Sequence, residues 1–124
     1  MPSTTTYSRG DVVVVNVPFS DASGTKRRPA LVVSADAFHR TLPDLILCPI
    51  SSQPRYYRKP TPGDYPLMDW RAAGLRHPSA ARVSKLLSVD KRIIHRVLGN
   101  ASARDLARLE RGLRAAFGFE GRSR

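Results

Sequence analysis

The chain has 124 residues, a formal net charge of +11 and a single cysteine. This length predicts one domain whose core needs no disulfide, and one cysteine excludes an intrachain disulfide bond. The sequence has no hydrophobic signal region and no apolar run long enough to span a membrane, so we expect a cytoplasmic protein without membrane contact. The charge favours a polyanion as partner, a nucleic acid or an acidic protein, over a merely arginine-rich composition.

The first part of the chain predicts a β-hairpin. Residues 1–8 are expected to be a disordered lead, followed by a single domain over residues 9–120. The valine-rich residues 12–17 predict a buried strand, because β-branched side chains fit a pleated sheet. Residues 30–34 predict a second strand, and the turn-forming, basic residues 18–28 between the two strands predict a long mobile tip.

The middle of the chain predicts further short strands. Residues 45–50 predict a third strand, in which Pro49 indicates an edge position or a bulge. Residues 54–66 contain four prolines and predict an irregular connection with at most one short strand. Residues 80–87 partly alternate and predict another strand, and residues 89–99 predict a short helical turn followed by a strand or loop.

A C-terminal helix is the clearest local prediction. Ser102 has the residue type of an N-cap, Asp105 completes a variant of the capping box, and Gly118 is the expected terminator. The predicted apolar face of this helix comprises Leu106, Leu109, Leu113, Ala116 and Phe117. Short strands followed by one helix predict a mainly β chain with α, an α+β fold in which a small β-barrel or curled sheet is capped by the helix.

The usual motifs of metal and cofactor sites are missing from the sequence. There is no C-x-x-C, no H-E-x-x-H, no P-loop and no dinucleotide glycine pattern. The histidines lie far apart, and we interpret each as a surface or capping residue. We therefore expect neither a metal site nor a cofactor.

Cationic and hydroxyl side chains remain as candidates for chemistry. Arg28 directly precedes Pro29 at the predicted second strand, and a guanidinium matches two phosphate oxygens. Ser51 follows the third strand. If these strand ends lie together, the two side chains would bind a phosphodiester and stabilise its transition state. The alternative interpretation is a surface cation beside a strand-ending turn.

Three motifs in order carry a family resemblance. GDVVVVNVPFSD, GTKRRPALVVS and LILCPISSQ resemble the MazF/PemK family of toxin endoribonucleases, and RVSKLLSVDKRIIHRVLGNAS with the C-terminal helix is similar to the later part of that family. The resemblance implies an SH3-like β-barrel that acts as a homodimer. It also implies metal-independent, sequence-specific cleavage of single-stranded RNA to 2′,3′-cyclic phosphate and 5′-hydroxyl ends.

The resemblance also implies roles for particular residues. The essential arginine of the family matches Arg28, and its essential threonine falls on Ser51, so serine replaces the usual residue. Serine keeps the hydroxyl and loses the methyl group that restricts χ1, and we expect activity to survive. The family's RNA-reading loop corresponds to residues 18–27. We predict RNA contacts for Phe19, Asp21, Lys26, Arg27, Ser52, Gln53 and Lys59.

Several alternatives stay open at the level of sequence. Tyr56, Tyr57 and Trp70 would stack on bases or pack against the protein. A toxin of the same barrel architecture that inhibits DNA gyrase, as CcdB does, and a non-catalytic RNA-binding barrel are the rival functions. The expected protein partner is a cognate antitoxin with an acidic, disordered tail.

Overall fold

One curled antiparallel sheet and a C-terminal helix form the protein. The computed structural model describes residues 6–18, 21 and 23–119. The strands are β1 Asp11–Pro18, β2 Thr25–Val32, β3 Asp44–Ser51, β4 Asp64–Pro66, β5 Ala80–Arg82, β6 Leu87–Asp90 and β7 Arg96–Asn100. The helices are α1 Asp36–Thr41, α2 Pro54–Arg58 and α3 Ala103–Phe117, with 3-10 turns at Val83–Lys85 and Lys91–Ile93.

The strands follow the order β4-β5-β3-β2-β1-β7, and β6 also pairs with β3. The predicted α+β class and the C-terminal helix are confirmed. In the described part of the chain no ladder joins β4 to β7, so hydrogen bonds do not close the sheet, although its curl is compatible with an SH3-like barrel.

The β1–β2 hairpin is longer than the sequence predicts. β2 begins at Thr25, which pairs with Pro18, so that Lys26 and Arg27 lie on a strand opposite Val17 and Asn16. Lys26 and Arg27 therefore belong to the sheet and not to the predicted mobile tip. Polar and basic side chains do not prevent strand pairing where one face is exposed, as it is at these residues.

Two prolines mark the end of the β2–β3 ladder. Its last pair is Ala30 with Pro49, and Pro29 precedes this pair on β2. Proline has no N–H to give to a ladder, so pairing stops here and the two strands part. Ser51, at the end of β3, pairs instead with Ala80 of β5. The sheet divides at this point, and a cleft opens beside it.

Two hydrophobic clusters form the core, one on each face of the sheet. Val12, Leu31 and Leu109 belong to the first cluster, against which α3 packs, and Val13 and Val15 belong to the second. The first four valines of β1 are all buried, which explains their continuous apolar run. Cys48 is also in the first cluster, and burial raises the pKa of its thiol to about 12, which makes it unreactive.

Helix α3 begins and ends as predicted. The hydroxyl oxygen of Ser102 accepts a hydrogen bond from the backbone N–H of Asp105, and Gly118 adopts the left-handed conformation that ends the helix. Gly112 is needed for packing, because a Cβ there would lie 2.2 Å from the ring of Tyr65. The apolar face is shorter than predicted, since Ala116 and Phe117 are exposed where the helix runs past the sheet.

The structure corrects three other predictions. Residues 54–66 contain helix α2 as well as β4, and α2 begins at Pro54, a residue that suits the first helical position. Residues 80–87 do not form one strand, because a 3-10 turn separates β5 from β6. His39 is buried rather than at the surface, with Nδ1 donating to the carbonyl of Tyr7 and Nε2 accepting from the hydroxyl of Ser34.

Candidate active site

A cleft of about 440 Å³ lies where β2 and β3 part. Arg28 and Ser51 both line it. Each stands two residues beyond the last pair of the ladder, at positions that the same register would place opposite each other. The predicted convergence of these two side chains therefore agrees with the structure.

The cleft is strongly cationic. Four of its lining residues are basic and none is acidic in the part of the chain that the structure describes: Arg28, Arg55, Arg82 and Lys85. The guanidinium of Arg28 makes no ion pair or hydrogen bond with any described residue, and it is only half-buried. A cation held on a cleft wall without a carboxylate partner is available to an anionic ligand.

Ser51 presents its hydroxyl from a fixed position. The residue is buried, and its Oγ accepts a hydrogen bond of 3.2 Å from the backbone N–H of Gln53. The hydroxyl proton is not donated to any other described residue. It can therefore be given to an oxygen atom of a ligand in the cleft, beside the cation of Arg28.

Arg82 reaches the same cleft from β5. Its Nε lies 3.4 Å from Oδ1 of Asp64, and its Cζ lies 3.8 Å from the centroid of the Tyr56 ring. Tyr56 also lines the cleft, and Nη2 of Arg55 donates a hydrogen bond of 2.7 Å to its hydroxyl. The terminal nitrogens of Arg82 have no partner among the described residues, so they are available to the same ligand as Arg28.

Two of the other predicted RNA contacts, Gln53 and Ser52, line different hollows. Gln53 lines the cleft. Ser52, the next residue after Ser51 on the chain, lines a second hollow of about 210 Å³ together with Pro29 and Arg96. Successive residues of an extended chain point to opposite sides, which explains why neighbouring serines reach different hollows.

The remaining predicted contacts lie outside the cleft or outside the described residues. Lys26 and Arg27 are exposed on β2, and Lys59 is exposed at the end of α2. Asp21 is exposed in the hairpin loop, where its hydrogen bonds with Ser23 lower the pKa of its carboxyl. Phe19 is not among the residues that the structure describes.

Sequence reasoning missed the cations that β5 and α2 bring to the site. Arg55, Arg82 and Lys85 are distant in sequence from Arg28, and the pairing of β3 with β5 brings Arg82 and Lys85 to it. The only signal in the sequence was the alternating stretch that contains Arg82 and Lys85. That stretch indicated a strand, but it did not indicate the strand with which it pairs.

The described residues contain neither a cluster of metal-binding side chains nor a helix that could span a membrane. No three His, Cys, Asp or Glu side chains there are grouped so that they would hold a metal ion. No helix in the described part is both long enough and apolar enough to cross a membrane.

Comparisons with known proteins agree with the sequence motifs. Residues 8–117 match the model of a family described as the PemK-like, MazF-like toxin of type II toxin–antitoxin systems. No curated protein matches the chain at a significant level.

Solved structures resemble the fold over nearly its whole length. MazF from Deinococcus radiodurans has a TM-score of 0.72 and 26% identity, with 92% of this chain and 98% of that chain covered. An endoribonuclease from a mycobacterial species, solved in complex with its cognate antitoxin, has a TM-score of 0.71 and 15% identity, with 96% and 100% covered. Toxin MazF-mt6 from Mycobacterium tuberculosis has a TM-score of 0.68 and 17% identity, with 88% and 99% covered.

Proposed function

Because this chain belongs to the PemK/MazF toxin family of type II toxin–antitoxin systems, we propose that it is a sequence-specific endoribonuclease that cleaves single-stranded RNA without a metal ion. Endoribonuclease activity is general to this family. The observation that supports the proposal for this chain is the cleft lined by both Ser51 and Arg28, whose guanidinium has no partner among the described residues. An RNA substrate also implies action in the cytoplasm.

The proposed reaction is an internal phosphoryl transfer. The 2′-hydroxyl oxygen of a ribose attacks the adjacent phosphorus, and the bond from phosphorus to the 5′ oxygen breaks. The 2′-hydroxyl gives up its proton and the leaving 5′ oxygen takes one, so no water is consumed. The products carry a 2′,3′-cyclic phosphate and a 5′-hydroxyl.

The cleft residues would act on the charge that develops during this reaction. The fork of Arg28 would bind two phosphoryl oxygens, the hydroxyl of Ser51 would donate to one of them, and Arg82 would add a second guanidinium. Arginine stays protonated in proteins, so its contribution is electrostatic rather than that of a base. Catalysis would then depend on how well these groups are placed before the substrate arrives.

The first test is the incubation of the purified protein with a long unstructured RNA in the presence of EDTA, followed by mapping of the 5′ ends. We expect discrete cuts at one short motif with 5′-hydroxyl ends. The Arg28→Ala variant, purified in the same way, excludes a contaminating nuclease and should leave the RNA intact. Intact RNA with the folded wild-type protein would overturn the proposal.

One observation favours a second candidate function. Phe117 and Phe119 stack on each other at the C-terminal end, with ring centroids 6.0 Å apart, and both are exposed. Inhibition of DNA gyrase by a toxin of this architecture would use such an apolar C-terminal surface. If the RNA stays intact, a DNA supercoiling assay with gyrase distinguishes this function from a non-catalytic RNA-binding barrel.

We further infer a cognate antitoxin with an acidic segment that occupies the cationic cleft and blocks RNA. The charge of +11 suits such a partner. A pull-down from the native host should return an acidic protein that inhibits the cleavage. If the captured proteins include no acidic inhibitor, this inference is wrong.

The family likeness also leads us to propose a homodimer. The chain has a mass of 13.7 kDa, so sedimentation equilibrium should give about twice that value. A mass equal to that of one chain at micromolar concentration would contradict the proposed dimer.

A further inference from the structure

Arg82 is held on two sides by residues that lie outside its own strand. Tyr56 of α2 covers the guanidinium at 3.8 Å, and Asp64 of β4 lies 3.4 Å from its Nε. The side chain of Arg82 is 21% exposed and that of Asp64 is 4% exposed. The guanidinium is therefore fixed between an aromatic ring and a buried carboxylate.

Asp64 is itself held in place and charged. Its Oδ2 accepts hydrogen bonds from the backbone N–H of Thr61 at 3.1 Å and from the hydroxyl of Thr61 at 2.7 Å. Burial raises the pKa of Asp64, but the hydrogen bonds from Thr61 and the guanidinium of Arg82 lower it, and the net pKa is below the ordinary value. The carboxylate is thus ionised at neutral pH and keeps its ion pair with Arg82.

The ring of Tyr56 is placed by the start of α2. Pro54 begins this helix three residues after Ser51, so the helix follows β3 directly and lays Tyr56 on the wall of the cleft. The hydrogen bond from Arg55 to the Tyr56 hydroxyl fixes the outer end of the ring. A guanidinium over an aromatic face is attracted by the negative face of the ring.

The arrangement leaves the reactive end of Arg82 free. The contact with Asp64 uses Nε, and the ring of Tyr56 covers the guanidinium plane. The two terminal nitrogens have no partner among the described residues, and the side chain lines the cleft that contains Arg28 and Ser51. A free arginine side chain samples many rotamers, whereas a donor that is already oriented stabilises developing charge at no cost in reorganisation.

We propose that Tyr56 and Asp64 are positioning residues that hold Arg82 so that its terminal nitrogens meet the scissile phosphate opposite Arg28. The inference rests on the proposed ribonuclease function. It assigns Tyr56 to the support of a cation, which differs from both base stacking and simple packing. Tyr57, the next residue of α2, does not line the cleft and lies 5.9 Å from the guanidinium of Arg58.

The test is single-turnover cleavage of a short oligonucleotide with one ribonucleotide at the mapped site. We expect Tyr56→Leu to lower the cleavage rate by about 10- to 100-fold with a smaller change in binding, since misplacing a catalytic group affects the transition state most. Tyr56→Phe keeps the ring face and should stay within about 3-fold of wild type. Tyr57→Leu is the matched control and should cleave at the wild-type rate.

A double-mutant cycle separates positioning from a merely structural role. In the Arg82→Ala background, Tyr56→Leu should lower the rate by less than about 2-fold, because the group that it positions is gone. Asp64→Asn provides a second variant, should Tyr56→Leu fail to fold, and the same non-additivity with Arg82→Ala is expected. Circular dichroism establishes that each variant is folded.

The outcomes distinguish this inference from the proposed function. A folded wild-type protein that leaves the oligonucleotide intact overturns the ribonuclease function, and the positioning role with it. Cleavage by wild type together with equal rate losses for Tyr56→Leu in both backgrounds, or with no loss at all, overturns the positioning role alone. Stacking of Tyr56 on a base would instead appear as weaker binding that is independent of Arg82.

Discussion

The cleft differs in its use of the terminal nitrogens of arginine from the seat of helix α3, by which we mean Arg9, Asp69, Arg104, Asp105 and Glu110. Around α3, Arg104 donates to both oxygens of Asp69 at 2.7 Å, and Arg9 lies 3.0 Å from Glu110. In the cleft, Arg28 has no carboxylate partner among the described residues. An arginine whose terminal nitrogens bind a carboxylate, such as Arg104, holds the fold together. Arg28 and Arg82 line the cleft, and their terminal nitrogens have no partner among the described residues even though Nε of Arg82 is paired with Asp64, so they are available to a ligand.

Exchanging the two kinds of arginine for alanine should give opposite results. Arg28→Ala should lower RNA cleavage by about 10²- to 10³-fold and leave the melting temperature unchanged, because the lost charge stabilises only the transition state. Arg104→Ala should lower the melting temperature and keep the cleavage rate. Both quantities are measured on both proteins, and a loss of activity without a loss of stability in Arg104→Ala would break the comparison.

Asp105 tests the structural side of the comparison more strongly. It is buried at the start of α3, and its two oxygens accept the backbone N–H groups of Met68 and Asp69 at 2.9 Å and 2.8 Å. Asp105→Ala would leave both donors unsatisfied, and we expect the free energy of unfolding to fall by about 3 kcal/mol. Urea denaturation measures this change.

The activity of the folded Asp105→Ala protein should remain that of wild type. Met68→Ala is the matched control, because it keeps the backbone N–H and removes only an exposed side chain. A loss of cleavage in folded Asp105→Ala would mean that the seat of α3 and the cleft are coupled.

Ser51 sharpens the functional side of the comparison. Ser51→Ala removes the hydroxyl that faces the cleft and should slow cleavage by about 10- to 100-fold, which is less than the loss for Arg28 because a neutral donor is removed. Ser51→Thr keeps the hydroxyl and adds a methyl group that restricts χ1, so its rate should equal or exceed that of wild type. Equal rates for Ser51→Ala and wild type would show that the hydroxyl has no chemical role.

The same comparison explains what could be predicted from sequence. β1, β3 and α3 were predictable because their valine run, apolar stretch and N-cap are local signals. The placement of Arg28 and Ser51 on one cleft was predictable because each stands beside a strand end, whereas the chemical roles that the family resemblance implies for them stay predictions. The position of Lys26 and Arg27 on a strand could not be predicted, because their pairing with β1 overrides their polar character.

The rest of the site depends on contacts between distant residues. Arg82 joins Arg28 only because β5 pairs with the end of β3, and Tyr56 joins Arg82 only because Pro54 starts a helix inside a proline-rich segment. Such pairings have no local signature in one sequence. Which arginines have free terminal nitrogens likewise becomes visible only after the carboxylates have been placed.

The smallest expected effect concerns the pH dependence of the ion pair between Asp69 and Arg104 at α3. Hydrogen bonds from Arg104 and Ser102 lower the pKa of Asp69 to about 2, below its value of about 3.9 in an unfolded chain. A group whose pKa is lowered by folding stabilises the protein above its unfolded pKa, and this stabilisation is lost as the pH falls through the folded pKa. Asp69 therefore contributes fully above about pH 4 and loses its contribution toward pH 2.

Thermal melts of wild type and Asp69→Asn from pH 7 to pH 2 measure this contribution. The variant should melt below wild type at pH 7, and the difference between the two curves should shrink from about pH 4 toward pH 2, as Asp69 becomes protonated first in the unfolded and then in the folded wild type. Asp44→Asn is the matched control, because Asp44 makes no ion pair or side-chain hydrogen bond with a described residue, so this variant should melt like wild type. A difference in melting temperature between wild type and Asp69→Asn that stays constant with pH would mean that the shape of the Asp69 side chain, and not its charge, holds α3. The ion pairs of arginine would then no longer separate the two regions.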